Sequence, residues 1–468
     1  MSDADRDPRA PLIAGISQYD VDFVMPRVGV DIPLGIDPFL LYKSRDPAIR
    51  ALHELLLRAF NAGIESVRRD DRDAARRVFN FPEVAEIGFG YSKSSKRGSG
   101  VGTVLTGLIL ETLENAPDLL ERGVRHIEEM QLLSAGIGPD RISDIAANVL
   151  KSFLIEYTQR QCSVWGIPMM KGVPLGHIYD SGTGEWEDGH YDLPVNPIDG
   201  RAILLVPRRI VRALPWINYD DFLRGEFAAY LRARRTAAAA LTKGVKGKVA
   251  VVSVTRSDIA LVERYVQAKE ATSDQAKPAD AYGIDSDRDV CDQAASLKHR
   301  LNDTPSGREA ATDYQRLVLE ILNFVFNPDL VDGQPEVRTV DGTERRDIIF
   351  TNESDESFWA YVRLEHSSIF LMFEVKNTTD LGIDALNQTA TYLGDRLGRL
   401  GIIVTREAAS DSMKRKAISI WNDSGQGRKA ILVLSDGDLR ALLDIRCRGA
   451  STAKWMQQRY REFRMSLQ

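Results

Sequence analysis

Two short stretches decide how this chain is read: Arg345-Arg346-Asp347-Ile348-Ile349-Phe350, and further on Phe373-Glu374-Val375-Lys376-Asn377. Each sets polar residues at one end of an apolar run. On a strand the side chains alternate between faces, so Glu374 and Lys376 share one face and Val375 turns to the other. With Asp347 on a neighbouring strand, two carboxylates and one ammonium converge. Such an oxygen-rich spot suits Mg²⁺, which is commonly held by one or two carboxylates plus substrate phosphate oxygens. The run Ile369-Phe370-Leu371-Met372-Phe373 leads into the second stretch. An acid and a lysine ending so apolar a strand call for a reason, because buried charge is costly unless paired.

Working outward, Tyr314 to Phe326 has apolar residues over most of a helix surface, as expected of a helix packed on a sheet. Asp341-Gly342 has the form of a hairpin turn between a strand at Val337 to Val340 and one at Arg345 to Phe350. Glu353 to His366 reads as an inserted helix, Ile369 to Lys376 as a strand, Leu386 to Leu397 as a helix and Gly401 to Thr405 as a strand. Asp347 with Glu374-Val375-Lys376, in this order of elements, resembles the PD-(D/E)XK nuclease superfamily, the restriction-endonuclease-like fold. Gln388 and Tyr392 add the Q-x-x-x-Y form of RecB-like members, and at i and i+4 they share a helix face. The resemblance covers roughly residues 305–465.

It implies an α/β fold with a C-terminal αβββαβ core and a mixed sheet; the N-terminal half, which it does not cover, reads from its own patterns as a separate mixed α/β domain. It implies catalysis by Asp347, Glu374 and Lys376. Mg²⁺, or Mn²⁺ in its place, would be held by Asp347, Glu374 and the backbone carbonyl of Val375. Lys376 would orient or deprotonate the attacking water and offset the charge of the pentavalent phosphate. Gln388 and Tyr392 would line the DNA side of the site. Two departures stand out. Where relatives carry a metal-binding glutamate in the first helix, this chain has Gln315, and Glu320 lies five residues on, about 140° round the helix. Arg346, not proline, precedes Asp347.

The whole chain has 468 residues, 43% apolar and 27% charged, with a formal net charge of −6, as expected of an ordinary globular protein of two or three domains. An acidic balance does not exclude nucleic acid, which needs only a local basic face. Cys162, Cys291 and Cys447 are odd in number and far apart, which argues against a disulfide framework and for a cytoplasmic location. No Cys/His cluster has zinc spacing, and the acidic N-terminus lacks the apolar segment of a signal peptide. No apolar run approaches the roughly 18 residues of a membrane span.

The expected division is 1–245 as a mixed α/β domain for sensing, recruitment or regulation, 246–312 as a helical, polar connector, and 313–468 as the nuclease domain. In the first part, Val21 to Pro26 and Val28 to Pro33 read as short strands, and Asp31 and Asp37 as turn aspartates. Pro47 to Arg69 reads as a helix. Tyr91 to Gly102 is a basic, Gly-rich loop able to cradle phosphate, but without the Gly-Lys-Ser/Thr ending of a P-loop, so the chain carries no recognisable NTP motor. Asp140 and Asp144 would share the face of one long helix running through Thr158; capping and complementation of the helix dipole explain them most simply, and a second acidic site with Glu128 and Glu129 is the alternative. Trp165 to Pro197 reads as loop, and Ile203 to Pro207 as a buried strand followed by Arg208, Arg209 and Arg212, which beside Trp216 and Tyr219 could track a nucleic-acid strand. At the other end, Ala430 to Leu434 reads as a strand followed by an acidic turn, and Lys454 and Arg459 sit on a basic C-terminal helix, a candidate phosphate-contacting face.

These observations lead to the expectation of a Mg²⁺-dependent DNA endonuclease. The resemblance alone places it in prokaryotic restriction or anti-phage defence, acting with other subunits or as a homo-oligomer, without a membrane. A repair or recombination nuclease, or a DNA-binding protein that keeps the fold without catalysis, remain alternatives.

Overall fold

The computed structural model describes residues 18, 20–27, 31–89, 101–233, 247–279, 287–335, 347–395, 397–425 and 427–467. Two compact units emerge, one of Phe23–Ala279 and one of Asp280–Gln468 with the described residues of Gly15–Asp22. The segment 246–312 is shared between them. Helices Lys248–Ser257 and Ile259–Ala271 fall in the first unit and Asp287–Asp303 in the second.

The first unit is mostly helical. Asp37 and Asp46 each accept from the amide two residues on, Phe39 N at 3.1 Å and Ala48 N at 2.9 Å, and so cap Pro38–Lys43 and Pro47–Arg68. Pro47–Arg68 buries Leu56, Phe60 and Ile64 on one stripe. The helix expected through Thr158 is two, Pro139–Val149 and Lys151–Trp165, stepping at Leu150 without a Pro or Gly to announce it. The region read as loop contains a hairpin, Met170–Asp180 with Glu185–Leu193. Register shifts at Met170/Val173 and Leu175/Ile178 break the period-two pattern, which hid the strands. Ile203 to Pro207 is buried but joins no ladder beyond an isolated bridge from Pro207 to Phe23. The loop at 91–100 and Val28 to Val30 lie outside the described residues.

The second unit is a five-stranded mixed sheet between helices. Its elements are α1 (Asp287–Asp303), α2 (Ala311–Phe326), β1 (Leu330–Pro335), β2 (Asp347–Asn352), α3 (Ser357–Glu365), β3 (Phe370–Lys376), α4 (Ile383–Tyr392), β4 (Leu400–Thr405), α5 (Asp411–Asp423), β5 (Ala430–Ser435), α6 (Asp436–Cys447) and α7 (Thr452–Met465). The strands lie in the order β1-β2-β3-β4-β5. Pairings β1–β2 and β2–β3 are antiparallel, and β3–β4 and β4–β5 parallel. Phe326 of α2 packs on Phe373, which meets Phe350 edge-on at 5.5 Å. Met372, Ile403 and Ile431 face the other way, into a cluster with Leu386 of α4 and Met413 and Ile420 of α5. The sheet therefore has α2 on one face and α4 and α5 on the other.

Two readings are corrected here. Cys291 and Cys447 form a disulfide, leaving Cys162 free and buried. Distance along the chain misled, because α1 packs on α6 and brings the two cysteines together. The support that the cysteines lent to a reducing compartment falls with it. The acidic turn after Leu434 is instead the start of α6, where Ser435 and Asp438 form a capping box. The strand expected at Val337 to Val340, its turn at Asp341-Gly342, and Arg345 and Arg346 lie outside the described residues. Among the described residues no helix is long and apolar enough to cross a membrane.

Candidate functional site

Register alone brings the key acids together. Asp347 opens β2 directly across from Glu374 on β3. On the other side of β3, Glu374 pairs with Ile403 and Lys376 with Thr405 of β4. Since Met372 and Ile403 face α4 and α5, Glu374 and Lys376 lie on that face by alternation, and Val375 on the face of α2. The Asp347 side chain is outside the described part of the structure.

Glu374 is only 1% exposed. Its Oε1 takes an ion pair from Lys376 Nζ at 2.5 Å, while its Oε2 is buried with no hydrogen-bond partner among the described residues. A buried carboxylate costs several kcal/mol when its lone pairs go unmet. Lys376, with a side chain 31% exposed, keeps its ammonium within reach of water. A spare carboxylate oxygen with a second acid opposite it in register is the donor set that a hard divalent cation takes. Among the described side chains no group of three or more His, Cys, Asp or Glu could hold a metal ion.

The remaining expected residues divide. Gln388 Nε2 donates to Tyr392 Oη at 3.1 Å on α4, and Tyr392 packs against the cluster on the same sheet face as Glu374. Glu320 is not brought to the site. It sits on α2, which covers the opposite face, and is ion-paired to Arg300; burial raises its pKa and Arg300 pulls it back. Gln315 is half-buried on the same helix. On α7, Lys454 is exposed, but Arg459 is ion-paired to Asp438 and Glu462 and lies 4.8 Å over Trp455. Tyr460 is buried against His366.

In the first unit, Arg209 is buried against Asp46 at 3.2 Å, and Arg212 reaches Asp37 at 3.3 Å, so neither arginine is available to track a nucleic-acid strand. Asp144 does not join Glu128. Burial pushes it up to about 7, with Glu83 and Asp140 as its acidic neighbours. Glu128 lies fully buried beside Asp37, and burial raises the pKa of both. Glu129 accepts from Arg122 at 2.5 Å.

Sequence reading missed the residues that hold the end of β3. Arg406, directly after β4, donates to Asn377, Asp436 and three backbone carbonyls, and Tyr314 donates to Asp436 Oδ1 at 2.7 Å. A cleft of about 360 Å³ opens beside them, lined by Thr304, Ser306, Thr379, Arg406, Ser435 and Arg440 among others.

Comparison with known proteins is sparse. Residues 14–218 match a family described as a domain of unknown function (DUF8370). An Escherichia coli (strain K12) protein described as a transposon gamma-delta 80.3 kDa protein is 29% identical over 135 residues, which is 28% of this chain and 19% of the relative. The match thus spans about a fifth of that relative's length. No solved structure matches.

Proposed function

We propose that the second unit is a Mg²⁺-dependent DNA endonuclease domain with a restriction-endonuclease-like αβββαβ core. The observation that carries this reading is the buried Oε2 of Glu374, which has no hydrogen-bond partner among the described residues, two residues from Lys376 on the same face and in register with Asp347. Support also comes from the order α2-β1-β2-β3-α4-β4 and from the placement of Gln388 and Tyr392 on the helix over that face. A relative named for a transposon favours DNA as the polymer.

In this reading Asp347, Glu374 and the carbonyl of Val375 would hold the ion. Mg²⁺, or Mn²⁺ in its place, would supply Lewis-acid chemistry there, polarisation of a phosphate oxygen and a lowered pKa for water. The chain's own contribution is positional and electrostatic. Glu374 is immobilised by burial. Lys376 holds a proton that orients the attacking water and offsets negative charge growing on the phosphate. The first unit senses, recruits or restrains, and cutting both strands implies a homo-oligomer. A defence system, in which other subunits take part, is the proposed setting.

The test is cleavage of supercoiled plasmid and linear duplex in Mg²⁺, Mn²⁺ or EDTA, comparing wild type with Lys376→Ala. Metal-dependent nicking that falls by roughly a thousandfold in the variant is expected. No cleavage in any condition, together with tight binding of the same DNA in a gel shift, would refute catalysis in favour of a binding module.

A further inference from the structure

We infer that Arg406 is a positioning residue that clamps the Glu374–Lys376 end of β3. Arg406 follows Thr405, the register partner of Lys376. Its side chain is buried, with the residue 9% exposed. Nε donates to Asn377 Oδ1 at 2.7 Å. Nη1 donates to Asp436 Oδ2 at 3.0 Å and to the Leu301 carbonyl at 3.2 Å, and Nη2 to the carbonyls of Thr304 at 2.6 Å and Pro305 at 2.9 Å. Its Cζ stands 4.0 Å from the Tyr314 ring centroid.

Asn377 completes the clamp. Its Nδ2 donates to the carbonyls of Pro305 and Gly307 at 3.0 and 2.8 Å, and its own carbonyl accepts from Gly307 N at 3.0 Å. The next residue is held as well. Thr378 N donates to the Lys376 carbonyl at 2.9 Å, and Thr405 Oγ1 to the Thr378 carbonyl at 2.8 Å. The strand therefore cannot fray past Lys376 without breaking bonds to Thr405, Arg406 and the turn between α1 and α2. A planar guanidinium is the side chain that serves three directions at once; an ammonium is a point donor and cannot. A buried arginine with every donor used is a structural choice, and here what it holds is the residue next to Lys376. Lys376 must stand in one place relative to Glu374, and a displacement of about 1 Å in such a site costs about a hundredfold in rate.

The kinetic consequence rests on the nuclease reading; the clamp itself does not. The experiment pairs both on the full chain. Arg406→Lys and Asn377→Ala are compared with Arg440→Ala, which alters the same cleft where Arg440 bonds Asn302. Steady-state cleavage and hydrogen exchange of the 374–378 amides are both read. Arg406→Lys is expected to lower kcat about a hundredfold with KM within about twofold of wild type. Exchange at 374–378 is expected to rise roughly five- to tenfold in Arg406→Lys and in Asn377→Ala, the factor for one net hydrogen bond. Arg440→Ala should change neither. If Lys376→Ala abolishes cleavage while Arg406→Lys keeps kcat within about threefold of wild type, the positioning role is overturned. If wild type does not cleave, the nuclease reading fails and exchange decides alone: faster exchange sustains the clamp, and unchanged exchange in Asn377→Ala overturns it. Asn377→Ala leaves the buried charge paired, so it stays informative even if Arg406→Lys does not fold.

Discussion

Replacing Glu374 with methionine should stabilise the metal-free protein and remove its response to metal. Glu374 is 1% exposed and half-satisfied, with Lys376 on Oε1 and no partner for Oε2 among the described residues. Exchanging a buried ion pair for an apolar group of similar volume is commonly neutral to stabilising by about 1–4 kcal/mol. Lys376 keeps a 31% exposed side chain and can relax into solvent, so the loss of its partner costs little. A net gain of about 1–2 kcal/mol is expected, or roughly 2–8 °C in Tm for a unit of this size. Wild type, by contrast, gains about 2.7 kcal/mol from Mg²⁺ at a hundredfold excess over Kd, and the variant gains nothing. The two proteins should therefore exchange rank between EDTA and Mg²⁺. Differential scanning calorimetry of the full chain in each condition reads this directly, following the transition of the second unit. A Glu374→Met protein that melts below wild type in EDTA would show that Oε2 is well satisfied. Equal metal shifts in the two proteins would place the ion elsewhere. Either result removes the observation on which the proposed site rests.

Two further outcomes follow from buried groups in the same unit. His366 is 1% exposed, meets Tyr460 Oη at 2.8 Å, and burial pushes its pKa down from 6.5 to about 4. Folding thus favours its neutral form, so its contribution is complete above pH 6.5 and is lost as pH falls through 4. The second unit should lose about 3 kcal/mol across that window, read as a falling urea midpoint, and His366→Phe should flatten the slope. An unchanged slope would mean that another group sets it. Reducing Cys291–Cys447, which closes a separation of 156 residues, should lower stability by up to about 5 kcal/mol in the chain-entropy picture. Dithiothreitol and Cys291→Ser should then give the same lower Tm, and a Tm indifferent to both would show that the bond does not form in solution.

Much of the second unit was legible because its strands are buried runs between strong helix patterns. Phe370–Lys376, Leu400–Thr405 and Ala430–Ser435 lie within a residue of where periodicity placed them. The first unit was harder for identifiable reasons. The Met170–Asp180 hairpin strand carries bulges that change which residues face inward, so alternation fails halfway along it. The step at Leu150 leaves no Pro or Gly signature. Asp436-Gly437 reads as a turn until Ser435 and Asp438 are seen to cap a helix, a distinction between two uses of the same short polar residues.

The acid-x-lysine motif was visible in the sequence; the countercharges were not. Arg459 looked like a free phosphate contact because Asp438, its partner, lies on another helix. Glu320 was already a poor replacement, by helical angle, for the acid missing at Gln315, and Arg300 supplies its actual use. Arg406 offered no signal, because an arginine at the end of a strand resembles any solvated charge until Tyr314, Asn377 and Asp436 are brought around it. The useful distinction between these buried charges is satisfaction. Arg406 spends its donors on five hydrogen bonds within the fold, so its place is explained by structure alone. Glu374 is also buried, but its Oε2 has no hydrogen-bond partner among the described residues. A buried acceptor left unmet costs stability, so comparing Glu374→Met with wild type in EDTA and in Mg²⁺ reads whether a bound cation is what meets it.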